Sequence, residues 1–208
     1  MEQKDRILLK AHELFSRFGI RSVSMDDIAA PLGISKKTVY QYYADKEELV
    51  SAVFSSIMED NKRHCIMDKE KADNAIHEVF MAFEWVQEML ANMNPSVLFD
   101  MEKYHPNTFK KFKEYQNGFL YQMIRSNIER GIEEGLYRGD VEVDILTRYR
   151  IHSIMLSFNP EVFPTNRTEL VHIEKILLEH FLYGLATTKG EKLINKYKSK
   201  EQKNRVGR

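Results

Sequence analysis

The chain has 208 residues, 43% of them hydrophobic, and its 31 Lys and Arg balance 31 Asp and Glu, so the formal charge is zero. That size suits one or two folded domains with a substantial core, and the balanced charge excludes a globally basic nucleic-acid binder, leaving any DNA affinity to local charge. A single cysteine, Cys65, excludes an internal disulfide framework and a cysteine-based zinc site; no apolar run is long enough to span a bilayer, and the amphipathic N-terminus lacks a signal-peptide core, so a cytoplasmic protein is expected.

In chain order, residues 4–18 set Ile7, Ala11, Leu14, Phe15 and Phe18 at helical spacing, predicting a supporting helix that Gly19 ends. Residues 24–49, SMDDIAAPLGISKKTVYQYYADKEEL, read as two short helices around a glycine turn, with a third helix starting directly after them. Ala29, Gly33 and Val39 have the spacing of a helix-turn-helix, with Gly33 supplying the left-handed turn and Val39 facing the core. Pro31 predicts a kink or an early end to the first of these helices.

Ser24 and Asp45 are each followed three residues later by an acid, the pattern that satisfies free N–H groups at a helix start. Ser35 also caps a start, yet Lys36 and Lys37 follow it, and two cations in a first turn oppose the helix dipole by about 0.3–1 kcal/mol each when exposed. A local rule broken without local compensation marks a functional site, and a DNA phosphate or a guanine edge would supply the missing partner. Ser35, Lys36, Lys37, Thr38 and Gln41 are therefore the expected DNA-facing residues, with Tyr40 and Tyr42 offering hydroxyls to phosphates.

This stretch resembles the DNA-binding domain of the tetracycline-repressor (TetR) family of bacterial regulators. The resemblance rests on Phe15, Gly19, Asp27-Ile28-Ala29, Leu32-Gly33-Ile34-Ser35, Thr38-Val39-Tyr40, Tyr42-Tyr43 and Lys46-Glu47-Glu48-Leu49, and it covers residues 5–55. It implies a core aromatic at Tyr43 and a further phosphate contact at Lys46.

A third helix is expected over residues 45–64, burying Leu49, Val53 and Ile57 and joining the reading head to the rest of the chain. The polar stretch 62–73 marks the expected domain boundary. Beyond it come a long helix on Ile76, Val79, Phe80, Phe83, Val86, Leu90 and Met93, closed by Asn94-Pro95, a short helix over 97–104, and another long one from 107. A glycine-spaced connector at 131–140 precedes two helices, 143–158 and 168–187, whose apolar residues fill more than one stripe and so require two neighbours each. The basic tail 189–208 reads as a flexible, solvated end.

The expected fold is all-α, with about nine helices: a helix-turn-helix domain at 1–64, a helical effector-binding and dimerisation domain at 65–188, and the tail at 189–208. The resemblance implies a homodimer formed by the helices at 143–158 and 168–187 as a four-helix bundle. It also implies a pocket for a small apolar or amphipathic effector, which the methionines and aromatics of residues 73–140 suit. Trp85, Met89, Phe99, Tyr104, Phe119 and Met123 are the expected lining, with polar contacts from His105 or His152 unless these cap helices or fill core.

No glycine-rich phosphate loop, nucleophile elbow or metal-spaced histidine pair is present, so no enzyme, cofactor or metal site is expected. The function expected is a sequence-specific transcription regulator, a ligand-released repressor acting as a homodimer on a pseudo-palindromic operator of double-stranded DNA. A ligand-independent DNA-organising or interaction protein of the same fold stays open as the alternative.

Overall fold

Helices make up all the regular structure of the computed structural model, which describes residues 2–91, 93–164 and 167–206; side chains at 167, 168 and beyond 200 lie outside that description, as do residues 207 and 208 of the tail. No strand occurs among the described residues, and none of their helices is long and apolar enough to cross a membrane.

The head consists of α1 (Gln3–Phe18), α2 (Met25–Ala29), a 3-10 turn (Ala30–Leu32), α3 (Lys36–Tyr42) and the start of α4 (Lys46–Lys71). Ile7, Ala11 and Phe15 of α1, Ile28 of α2, Val39 of α3, and Leu49, Val50 and Val53 of α4 close one core beneath them. As Pro31 predicts, α2 ends early at Ala29, and the proline sits in the following turn, where its missing N–H costs nothing.

The body holds α5 (Ala75–Ala91), α6 (Ser96–Tyr104), α7 (Pro106–Tyr115), a π turn (Gln116–Leu120), α8 (Tyr121–Glu133), α9 (Val143–Leu156), α10 (Arg167–Leu185) and α11 (Thr188–Val206). Its own core gathers Ile76 and Phe83 of α5, Ile128 of α8, Leu136 and Tyr137 of the connector, and Leu178, Phe181 and Leu182 of α10. Leu90, Met93, Val97, Met101 and Leu170, by contrast, belong to the head's core, so head and body share apolar contact.

The expected boundary at residue 64 falls inside α4, which runs unbroken to Lys71. A polar stretch does not break a helix: Glu59 pairs with Lys62 at 2.6 Å and Asp60 pairs with Arg63 one turn along, while Lys69 and Lys71 favour the dipole's negative end.

The tail is not a flexible end over its described length. α11 buries Ile194 and Tyr197, one turn apart, against the body, and turns Lys189, Lys192, Lys196 and Lys200 outward. The Tyr197 ring stacks on His77 with centroids 4.9 Å apart, and Lys198 pairs with Glu179 at 2.7 Å. Against the nine helices expected, this helix is one addition, and the division of the expected long helix from 107 into α7 and α8 by the π turn is the other.

The sequence pattern of α9 and α10 holds in an instructive way. Each buries one face, with Thr147, Arg150, Ile151 and Ser153 inward on α9 and Leu170, Glu174, Leu178, Phe181 and Leu182 on α10. Each leaves a second apolar face in solvent: Ile145 (63% exposed), Tyr149 and Leu156 on α9, and Ile176 (53%) and Tyr183 on α10.

Candidate functional site

The reading head is assembled by caps and one glycine. Gly33 takes φ 67° and ψ 28°, a left-handed conformation that a Cβ would strain. Its N–H donates to the Ala30 carbonyl at 3.1 Å and the Ile34 N–H to the Ala29 carbonyl at 3.3 Å, closing the helix end as a Schellman turn. Ser24 and Asp27 form a reciprocal capping box, and the serine's hydrogen bonds hold the Asp27 carboxyl below its usual range. The Asp45 carboxylate accepts the Glu48 N–H at 2.8 Å at the start of α4.

With Val39 fully buried, α3 turns Lys36, Lys37, Tyr40, Gln41 and Tyr42 outward. Ser35 Oγ accepts the Thr38 N–H at 3.1 Å and lies 2.9 Å from Thr38 Oγ1, so these two hydroxyls secure the helix start. Lys36 Nζ donates to Asp26 Oδ2 at 2.7 Å, and that bond raises its pKa. Lys37 makes no ion pair among the described residues. Tyr43 is buried, as the resemblance implies, and burial pushes its hydroxyl up.

Lys46 behaves differently from expectation. Its ammonium donates to the Ile20 carbonyl at 2.6 Å and lies 5.9 Å from the Phe15 ring centroid, and burial lowers its pKa. As arranged, it ties the link between α1 and α2 to α4 rather than projecting towards a phosphate.

Head and body meet along α6 and the start of α7. The Glu47 carboxylate takes His105 Nδ1 at 2.5 Å and the Thr108 hydroxyl at 3.2 Å, and Lys111 Nζ donates to Ser51 Oγ at 2.8 Å. The Arg21 N–H donates to Asp100 Oδ2 at 3.0 Å. Gly19 is needed at this corner on two counts, since its φ is 83° and a Cβ there would stand 2.8 Å from Ser96 Oγ.

Behind this contact lies a cavity of about 270 Å³, walled by α4 through α10. Its lining includes Phe54, Ile57 and Cys65 of α4, Phe83, Trp85 and Met89 of α5, Tyr115 of α7, Met123 of α8, Ile154 of α9, and Leu178 and Phe181 of α10. Tyr115 precedes the π turn and Leu120 ends it, an irregularity of the kind that recurs at functional sites. Trp85 stacks on His64 with centroids 5.2 Å apart. Burial raises the Cys65 thiol to about 11 and the Glu78 carboxyl above its usual range, although Arg130 reaches Glu78 at 3.1 Å. Glu174 and Arg150, 3.5 Å apart, also line the cavity.

Residues 7–53 match the model of the family described as bacterial regulatory proteins, tetR family. The chain carries a TetR-family DNA-binding domain.

Among curated relatives, the HTH-type transcriptional repressor KstR2 of Mycobacterium tuberculosis is 26% identical over 153 residues, which cover 71% of this chain and 75% of the relative. A protein from Saccharomonospora viridis solved in complex with choline superposes with a TM-score of 0.70 at 18% identity, covering 88% of this chain and 97% of that one. FadR of Thermus thermophilus, a TetR-family repressor solved with lauroyl-CoA, gives a TM-score of 0.58 at 19% identity, over 89% and 96%. At these identities the structural likeness is one of fold: a TetR-like helix-turn-helix head on a helical body.

Of the expected lining, Trp85, Met89 and Met123 stand on the cavity wall. Phe99 and Tyr104 do not: α6 buries Val97, Asp100 and Met101, which turns Phe99 (51% exposed) and Tyr104 to solvent. Phe119 stacks on Tyr115 at 5.7 Å but does not reach the cavity. His105 serves the Glu47 contact and His152 is exposed, so neither lines it. Sequence reasoning missed Glu174 and Arg150. The signal was present, since Glu174 stands four residues from both Leu170 and Leu178 and interrupts an otherwise apolar stripe.

Proposed function

We propose that this chain is a ligand-released, homodimeric transcription repressor that inserts α3 of each subunit into successive major grooves of a pseudo-palindromic operator. The observation that carries this reading is the double membership of α4. Its first turns anchor the head through Leu49, Val50 and Val53, and its middle, from Phe54 to Cys65, walls the cavity. An occupant that favours one tilt of α4 would also favour one spacing of the heads, and affinity for DNA would change by the difference in its affinity for the two states.

The exposed apolar faces of α9 and α10 support a two-fold dimer through these helices, because a soluble protein rarely leaves two such neighbouring faces uncovered. Half-sites read by this dimer lie about 34–36 Å apart, or a multiple of that. The base-reading residues are Lys36 and Gln41, with Lys37, Tyr40 and Tyr42 on phosphates. The effector class is a small molecule with an apolar body, in keeping with the cavity wall; the fold's solved neighbours hold lauroyl-CoA in one case and choline in another.

Selection of bound sequences from random duplex DNA by the purified protein, followed by titration of the winner at two salt concentrations, tests the reading. A pseudo-palindrome bound by two subunits is the expected result. Weak, salt-dominated binding with no enriched sequence overturns it.

A further inference from the structure

The cavity wall carries one feature that an apolar occupant alone does not explain. Glu174 is 1% exposed, and neither of its carboxylate oxygens accepts a hydrogen bond among the described residues. Its nearest cation is Arg150, whose Nη2 stops 3.5 Å away while Nη1 turns to Ser153 Oγ at 3.3 Å. An ionised carboxylate can only accept, and with the Ser157 hydroxyl and Arg150 beside it but no well-formed hydrogen bond closed to either oxygen, it keeps capacity for a further donor. Buried acceptors without partners are rare in native structures, and one on the wall of a cavity invites a partner from within it.

The charges around the cavity decide what kind of donor fits. Three carboxylates line it, Asp68 on α4, Glu78 on α5 and Glu174 on α10, and Arg150 is the one guanidinium among the lining residues. Glu78 is already answered from behind by Arg130. A ligand carboxylate approaching Arg150 would come up against Glu174, at the cost of like-charge repulsion in a poorly solvated site. A protonated amine meets the opposite situation: its N–H groups can donate to the Glu174 oxygens, and a charge-assisted bond of this kind is stronger than a neutral one. Burial raises the Glu174 carboxyl against the opposing pull of Arg150 and Ser157, and burial lowers Arg150 against the pull of Glu174, so desolvation outweighs the partners each already has.

Resting on the reading of this cavity as the effector site, we propose that it takes a lipophilic primary amine, whose ammonium donates to the Glu174 carboxylate while its apolar body lies among Phe83, Met89, Ile154 and Leu178. The amine is held by Glu174 for its head and by the apolar wall for its chain.

Trp85, the only tryptophan in the chain, lines the cavity and reports occupancy without DNA. Decylamine, decanol and decanoate share a chain and differ in head group; each is titrated into the full-length protein below its aggregation concentration while Trp85 fluorescence is followed. Decylamine is expected to bind at least about tenfold more tightly than decanoate, as a hydrogen bond to a charged group is worth, with decanol between them. In Glu174→Gln the preference shrinks to about threefold or less, because the acceptor is kept but its charge is gone.

Decanoate binding as tightly as decylamine overturns the proposal, and so does an unchanged preference in Glu174→Gln or the absence of a Trp85 response to all three probes. If Glu174→Gln does not fold, the wild-type series decides alone. Because no DNA enters this experiment, its failure is separate from failure of the regulator reading, which appears in the DNA selection.

Discussion

The Glu47 carboxylate and the His105 ring meet at 2.5 Å, binding the first turn of α4 to the residue between α6 and α7. Glu47 does two things there: as an acid in a first turn it suits the helix dipole, and it also accepts the Thr108 hydroxyl. Glu47→Ala removes the acceptor from two partly buried donors and is expected to cost about 1–3 kcal/mol of stability. Urea unfolding measures this. An unchanged midpoint would mean that the Glu47 contacts contribute nothing to holding head and body together.

The three lysines around α3 are expected to act differently on DNA. Lys37→Ala should reduce the slope of log K against log salt by roughly 1, the value of one phosphate contact. Lys46→Ala should leave that slope unchanged and lower thermal stability, because its ammonium is committed to the Ile20 carbonyl. Asp26→Asn should raise affinity for all duplexes, since it frees Lys36 and removes an exposed carboxylate from the DNA-facing side. Equal slopes for Lys37→Ala and Lys46→Ala would contradict this division of roles.

Much of this head was legible in the sequence because its rules are local. Gly33, the Ser24–Asp27 box, the Ser35 and Asp45 caps and the early stop at Pro31 each depend on residues within five positions, and all five stand as read. Lys46 was misjudged because its partner, Ile20, comes from a link folded back against α4, which no spacing encodes. Phe99 and Tyr104 were misassigned because aromatic character says nothing about which face of α6 is inward; Val97, Asp100 and Met101 settle that. α11 was missed because its composition is rich in lysines, while among its described side chains Leu193, Ile194 and Tyr197 carry the apolar packing.

Cys65 provides a pH test of the cavity. Burial, reinforced by the Asp68 and Glu78 carboxylates, pushes the thiol from an ordinary 9.0 to about 11. The folded chain therefore holds this proton more tightly than the unfolded chain does. Its contribution to stability is complete below about pH 9 and is lost as the pH climbs towards 11. Cys65→Ser should show a shallower alkaline loss of stability over that window in urea titrations. Alkylation of native Cys65 at pH 8 should also be at least about tenfold slower than that of the unfolded chain, because the thiolate is the reactive form.

The exposed face of α9 offers the test of assembly. Ile145 is 63% exposed, while Tyr149, one turn on, has its ring 6.3 Å from Phe181, which also lines the cavity. The proposed interface thus runs within one side chain of the effector site, and a partner subunit pressing on Tyr149 presses on the cavity wall. Ile145→Glu adds a charge where a partner would bury it and disturbs nothing in the monomer's core. An unpaired polar group at an interface costs about 1–3 kcal/mol, so dimer dissociation should tighten in its demand for protein by roughly 10- to 100-fold. Sedimentation against concentration measures the shift, and helical content should be unchanged. Operator affinity should fall with dimer population, because one head reads only half of the site; a fully dimeric Ile145→Glu would move the interface away from α9.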